Sequence, residues 1–186
     1  MTSPPDSPVL TPAQRKWPDV PACYGWLSLD RRGHWRLQGE RVSHPGLIAF
    51  LSQHYSADSQ GRWFVQNGPQ QVFVELDYTP WIFRMETTGL LTHTGLPVSD
   101  LRAVHVDEYG NVLLDSAQGI GLLDDRDLPA FLAACTDAKG AAPDEARLLA
   151  LLAGEPVAVF WQKLPLQPIA ALDVPARYKF IAQPGA

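Results

Sequence analysis

Sulfur, long apolar runs and positive charge are all scarce in this chain, and each shortage excludes something. Of 186 residues only Cys23 and Cys135 are cysteines. Both lie among apolar or small neighbours without paired spacing, which argues against a disulfide framework and predicts buried, reduced thiols. No apolar stretch approaches the roughly 18 residues of a membrane-spanning helix. The start, Met1-Thr2-Ser3-Pro4-Pro5-Asp6, has neither the basic residues nor the apolar run of a secretory signal, so the expected location is cytoplasmic. The net charge of −5 argues against sequence-independent nucleic-acid binding, which needs a clustered positive surface. Nucleophile elbow, phosphate loop, zinc-ligand spacing and dinucleotide fingerprint are absent from the sequence as well.

What the chain does have is one turn pattern used three times. Asp30-Arg31-Arg32-Gly33-His34-Trp35, Asp58-Ser59-Gln60-Gly61-Arg62-Trp63 and Asp107-Glu108-Tyr109-Gly110-Asn111-Val112 share Asp-x-x-Gly-x-Trp/Val. Asp at the first position can hydrogen-bond its own backbone, and Gly at the fourth accepts a left-handed conformation, so each reads as a turn opening a strand. Charge is distributed unevenly around these turns. Residues 31–41 carry Arg31, Arg32, Arg36 and Arg41 against Glu40, whereas residues 107–127 carry six carboxylates against Arg126. Solvated faces are the ordinary meaning of such runs, and an intramolecular or dimer contact is the sharper one.

The periodicities predict an α+β protein of two related halves, each an antiparallel β-hairpin followed by a helix and further strands. Residues 1–21, with six prolines, are expected to be a flexible tail in which Thr11-Pro12 opens a short helix and Trp17 anchors onto the body. Residues 22–98 form the first half. Leu27 and Leu29 alternate before the first turn, Trp35 and Leu37 after it, and Ser43 is expected to cap a helix running through Tyr55. Residues 99–170 restate this with Val104–Val106, Val112–Leu114 and a helix bearing Leu128, Phe131, Leu132 and Cys135, capped by Asp125 or Asp127. A further helix follows Pro143-Asp144-Glu145, and Val157–Trp161 is a strand. Pro165, Pro168 and Pro175 then predict an irregular, edge-like end, with residues 171–186 as a second tail.

Three runs carry a resemblance: Tyr24-Gly25-Trp26-Leu27-Ser28-Leu29 with Gly33-His34-Trp35, then Trp63 to Gln70, then Tyr78-Thr79-Pro80-Trp81. Over about residues 17–125 the chain resembles an uncharacterised proteobacterial family of unknown function. It is similar, more distantly, to a larger uncharacterised proteobacterial family of two-part α+β architecture, for which signalling or ligand-binding roles have been suggested. The resemblance implies bacterial origin and supports the fold, and it carries over no catalytic residues.

The most suggestive polar cluster is Gln66-Asn67-Gly68-Pro69-Gln70. Asn-Gly marks a tight hairpin, but Pro69 has no N–H to close it, which predicts a wider loop presenting neutral carboxamides. Gln66, Asn67 and Gln70 with Trp63 and Tyr78 are therefore the candidate ligand-binding residues. Trp63 and Trp81 could form an aromatic wall, although strand alternation turns Arg84 away from Trp81. The histidines His34, His44, His54, His93 and His105 lack metal-ligand spacing, so no metal and no other cofactor is expected. The function these residues point to is a non-catalytic ligand-binding or regulatory module. One alternative is an enzyme of unrecognised, hydrolase-like type with its site between the halves; the other is a structural protein that self-associates through its charge asymmetry, as in a homodimer. The expected partner is a small molecule or a protein, not nucleic acid or membrane.

Overall fold

The computed structural model of the protein describes residues 20–185, so the expected N-terminal helix and Trp17 anchor lie outside the described residues. The fold is α+β, with fourteen strands in two sheets and four short α-helices among the described residues. The first sheet contains β1 (Ala22–Leu29), β2 (Trp35–Leu37), β3 (Glu40–Arg41), β4 (Tyr55–Ala57), β5 (Trp63–Asn67) and β6 (Gln70–Leu76), in the order β3-β2-β1-β6-β5-β4. Helix α1 (Pro45–Gln53) crosses between β3 and β4 and buries Leu47 and Leu51. This crossover lets β1 and β6 run parallel at the centre, with Leu29 opposite Leu76.

The second sheet is built from β7 (Trp81–Glu86), β8 (Gly89–Thr92), β9 (Ala103–Val106), β10 (Val112–Ser116), β11 (Gly119–Leu123), β12 (Cys135–Asp137), β13 (Val159–Trp161) and β14 (Leu164–Pro168). Its order is β12-β13-β14-β9-β10-β11-β7-β8. Helix α2 (Leu128–Ala133) precedes β12, and α3 (Glu145–Leu152), capped by the Asp144 carboxylate, lies between β12 and β13. β14 runs parallel to β9, as β6 does to β1. The β7–β8 hairpin, which follows the first sheet in sequence, joins the second through parallel pairing of β7 with β11. A 3-10 turn over Ala171–Asp173 and α4 (Val174–Tyr178) then bring the chain back, and Ile181 bridges to Arg62 of the first sheet.

The aspartate turns have one geometry. In the first, Asp30 Oδ1 accepts the amides of Arg32 and His34 at 2.9 Å each, and Gly33 N–H donates to the Asp30 carbonyl. Asp58 and Asp107 repeat these bonds residue for residue. A fourth turn, Asp137-Ala138-Lys139-Gly140, does so as well. It lacks the full sequence pattern because Ala142 stands where Trp or Val follows in the other three.

Several local expectations are corrected. His44, not Ser43, caps α1: its Nδ1 accepts the Leu47 amide at 3.2 Å. The helix stops at Gln53 because Tyr55 extends into β4, where its ring is buried. Cys135 opens β12 instead of riding α2. Gln66–Gln70 is not a wide loop, since Asn67 pairs with Gln70 across the two-residue turn Gly68-Pro69. Gly68 has φ 56, and the negative φ imposed by the proline ring completes the sign pattern of a type II′ turn, in which Pro69 is not asked for an N–H. β14 is interior instead of edge-like, because Pro165 and Pro168 fall near its ends and leave Leu166 and Gln167 to serve the ladder.

Aromatic rings fill the junction of the sheets. Trp35, Trp63 and Trp81 all contact Tyr55, with ring centroids 5.1, 4.7 and 5.5 Å away. His93 sits against Trp35, Tyr55 and Trp81. Its Nδ1 accepts the Ile82 amide, and burial pushes its pKa down to about 3. His105, wholly buried on β9, is lowered to about 4, by burial first and by Arg177 second.

An unfolded histidine titrates near pH 6.5, so below that pH the unfolded chain takes up protons the folded chain refuses. Stability is therefore full above about pH 6.5 and falls as pH drops towards 4, by up to about 1.4 kcal/mol per pH unit for each of these two histidines. Chemical denaturation across that range should show the decline, and His93→Phe should roughly halve its slope. Glycine substitutions should rank by surroundings. A Cβ on Gly61 would fall on the backbone carbonyl of Lys179, and one on Gly33 would meet the His93 side chain, whereas at Gly110 the nearest atom is a Leu152 methyl at 3.7 Å. All three have positive φ. Gly110→Ala should cost about 1 kcal/mol by thermal denaturation, and Gly33→Ala and Gly61→Ala about 2 kcal/mol or more.

Candidate functional site

A cavity of about 360 Å³ opens between the sheets where the Asp30 and Asp107 turns meet. Parallel pairing creates it. Because Leu29 stands opposite Leu76, the residues that follow, Asp30 and Asp77, emerge side by side, and the Asp77 amide donates to the Leu29 carbonyl. The opposite wall is the end of β11 and the start of α2. Leu122 and Leu123 are buried there and Leu128 half-buried, forming an apolar floor.

Two contacts tie the walls together. The Tyr78 hydroxyl donates to Asp107 Oδ2 at 2.8 Å, and the Arg31 guanidinium lies over the Tyr78 ring, 4.8 Å from its centroid. Burial first, and the Asp107 carboxylate second, push the Tyr78 phenol far above its ordinary pKa, so it is the donor. At the rim Arg32 donates twice to Asp125, at 2.9 and 2.7 Å, with both side chains about half exposed.

The charge asymmetry of the sequence is mostly consumed inside the molecule. Arg32 crosses to Asp125, whereas Arg36 folds back onto Asp30, whose second oxygen also faces His34. Burial by itself would raise the Asp30 carboxyl, but the turn amides and His34 outweigh it and hold the pKa below the usual carboxylate range. Asp124, fully buried, caps the 3-10 turn before α2 by accepting the Arg126 amide and binds the Arg126 guanidinium at 2.8 and 2.6 Å. Asp127 turns to Arg84 and the Met85 amide, so neither Asp125 nor Asp127 acts as the helix-capping side chain. With these pairs made, the groove still presents the Arg31 guanidinium, the Asp77 carboxylate and the Asn111 amide oxygen. Among the described residues neither Arg31 nor Asp77 has an ion-pair partner, and Asn111 has committed its Nδ2 to Asp107.

The five residues singled out in the sequence separate. Gln66 donates to the Gly68 carbonyl at 2.7 Å and the Gln70 carbonyl at 3.2 Å; Gln70 donates to the Val20 carbonyl at 2.6 Å; Asn67 reaches Gln70. These carboxamides bind their own turn and the approach to β1. Trp63 joins the aromatic junction, on the face of β5 opposite Gln66. Tyr78 alone adjoins the groove, under the Arg31 guanidinium and bonded to Asp107. Arg31 and Arg32 were visible in the sequence as a basic run, whereas Asp77 and Asn111 carry no spacing signal because strand pairing brings them there. Among the described residues no three His, Cys, Asp or Glu side chains converge as a metal site.

This arrangement defines a two-sheet α+β protein with a groove at the seam. The chain belongs to the family described as "Protein of unknown function (DUF2946)", whose model, DUF2944, matches residues 6–185. Among solved structures it is similar to a DUF1285 family protein from Silicibacter pomeroyi DSS-3, with 15% identity and a TM-score of 0.44 over 70% of this chain and 79% of that one. It is also similar to a DUF1285 family protein from Shewanella baltica OS155, with 15% identity and a TM-score of 0.42 over 59% and 91%. No curated protein matches the chain. No helix among the described residues is long and apolar enough to cross a membrane.

Removing the Tyr78 hydroxyl leaves Asp107, 1% exposed, short of a donor. Tyr78→Phe should cost about 1–2 kcal/mol in urea denaturation. Arg32→Ala, which breaks an exposed pair, should cost less than about 1 kcal/mol.

Proposed function

We propose that the protein is a non-catalytic binding module whose ligand enters the groove between the sheets. One observation carries this reading: Arg31 and Asp77, opposite in charge and without ion-pair partners among the described residues, both line a cavity floored by leucines. A ligand matching that surface bears an anionic and a cationic group and an apolar portion, as a small amino-acid-like zwitterion does. Its anion meets the Arg31 guanidinium, whose NH edges stay open while its face rests on Tyr78, and its cation meets Asp77. The volume of about 360 Å³ lies in the range of small-molecule sites.

Two further readings belong to the same proposal. A reducing, cytoplasmic setting is supported by Cys23 and Cys135, both free and buried, with burial raising both thiols and pushing Cys135 up to about 11. Descent of the two halves from one unit is supported by matching strand orders, β3-β2-β1-β6-β5-β4 and β11-β10-β9-β14-β13-β12, with aspartate turns at corresponding places. On that view β7 and β8 are an addition at one edge of the second unit.

Thermal shift with free leucine, and with its amidated and N-acetylated forms, tests the binding reading. Leucine should raise the melting temperature at millimolar concentration and the blocked forms should not. Arg31→Gln and Asp77→Asn, both at exposed positions, should each abolish the shift while folding normally. Equal shifts with all three compounds, or none, would refute a zwitterion site.

A further inference from the structure

A second cavity lies across the seam, about 260 Å³ in volume, walled by Trp63, Trp81 and Tyr178. Each wall is held in place. Trp81 Nε1 donates to the Gln118 carbonyl at 2.7 Å, and Trp63 packs edge-to-face against Trp81 at 5.3 Å. The Tyr178 hydroxyl is bonded at 2.7 Å to Nε2 of His105, a residue with no exposed surface whose other ring nitrogen has no hydrogen-bond partner among the described residues. A buried histidine spent on orienting one tyrosine is expensive, and here that tyrosine faces a cleft. Gly119, without a side chain beside the Trp81 ring, keeps the cleft open.

The charge at the rim is positive once internal pairs are removed. Asp58 also lines the cleft, but its carboxylate accepts the Gln60 and Arg62 amides and binds Arg62 Nε at 2.7 Å. Lys179 makes no ion pair among the described residues. Its backbone is left-handed, φ 54, because it is the C-cap of α4, its amide donating to the Pro175 carbonyl. The first sheet holds it there: the Lys179 carbonyl packs directly on Gly61, and the Ile181 amide donates to the Gly61 carbonyl at 2.9 Å. A cation without an ion-pair partner among the described residues thus lines an aromatic cleft.

We propose that this cleft is a second binding site, separate from the groove, for a planar aromatic carboxylate. The ring stacks among Trp63, Trp81 and Tyr178, and the carboxylate pairs with the Lys179 ammonium. An aromatic cation is disfavoured by Lys179, and a non-planar acid forfeits the ring contacts.

Titration of 15N-labelled protein with benzoate, read at the indole N–H signals of Trp63 and Trp81, tests this. Benzoate should shift both signals saturably, and benzamide and cyclohexanecarboxylate should bind at least about tenfold more weakly, each lacking one of the two interactions. Lys179→Met should weaken benzoate at least about tenfold while leaving the response to benzamide unchanged, and Arg31→Gln, in the groove, should leave benzoate binding intact. Absence of saturable shifts at millimolar benzoate, equal binding of the three compounds, or full affinity in Lys179→Met would overturn the site. Loss of benzoate binding in Arg31→Gln would move it to the groove.

Discussion

The carboxylate of Asp107 is the contact on which the relation of the two sheets turns. One oxygen accepts two amides of its own turn, and the other accepts Asn111 Nδ2 and the Tyr78 hydroxyl from the linker that leaves the first sheet. A group this buried is costly unless every lone pair is used, and using them all fixes the turn, the linker and the wall of the groove at once. The aromatic junction supplies apolar burial without much direction. The Asp107–Tyr78 bond supplies direction.

The other charges follow a comparable economy. Asp30 is saturated by its turn, His34 and Arg36; Asp124 by Arg126; Asp127 by Arg84 and Met85. Among the charges that have no ion pair among the described residues, Arg31 and Asp77 line the groove and Lys179 the aromatic cleft. Binding chemistry is therefore best sought in these residual charges beside apolar surface, because a ligand meeting an already satisfied pair gains only what it displaces.

The local grammar of the fold was legible where one residue type has one physical use. Asp-x-x-Gly located three turns, and the α+β class followed from the alternation around them. Failures came where several chemistries satisfy the same need. His44 caps α1 beside a serine that could have, and Gln162-Lys163 makes the β13–β14 turn with both φ values positive, a conformation usually announced by Asn-Gly. The Gln66–Gln70 cluster misled for a related reason. Carboxamides that suit a ligand suit turn carbonyls equally well, and the turn is nearer.

The sequence by itself determined three aspartate turns and the class of fold, because these depend on backbone preference and hydrophobicity within a few residues. Only the tertiary structure decided that β14 is interior, that β7 and β8 serve the second sheet, and that Tyr178 meets His105 and Arg31 shares a groove with Asp77. Those outcomes rest on parallel pairings between strands distant in sequence, β1 with β6, β9 with β14 and β7 with β11. Local sequence carries no register for such pairings, since burial of the whole sheet selects the partner.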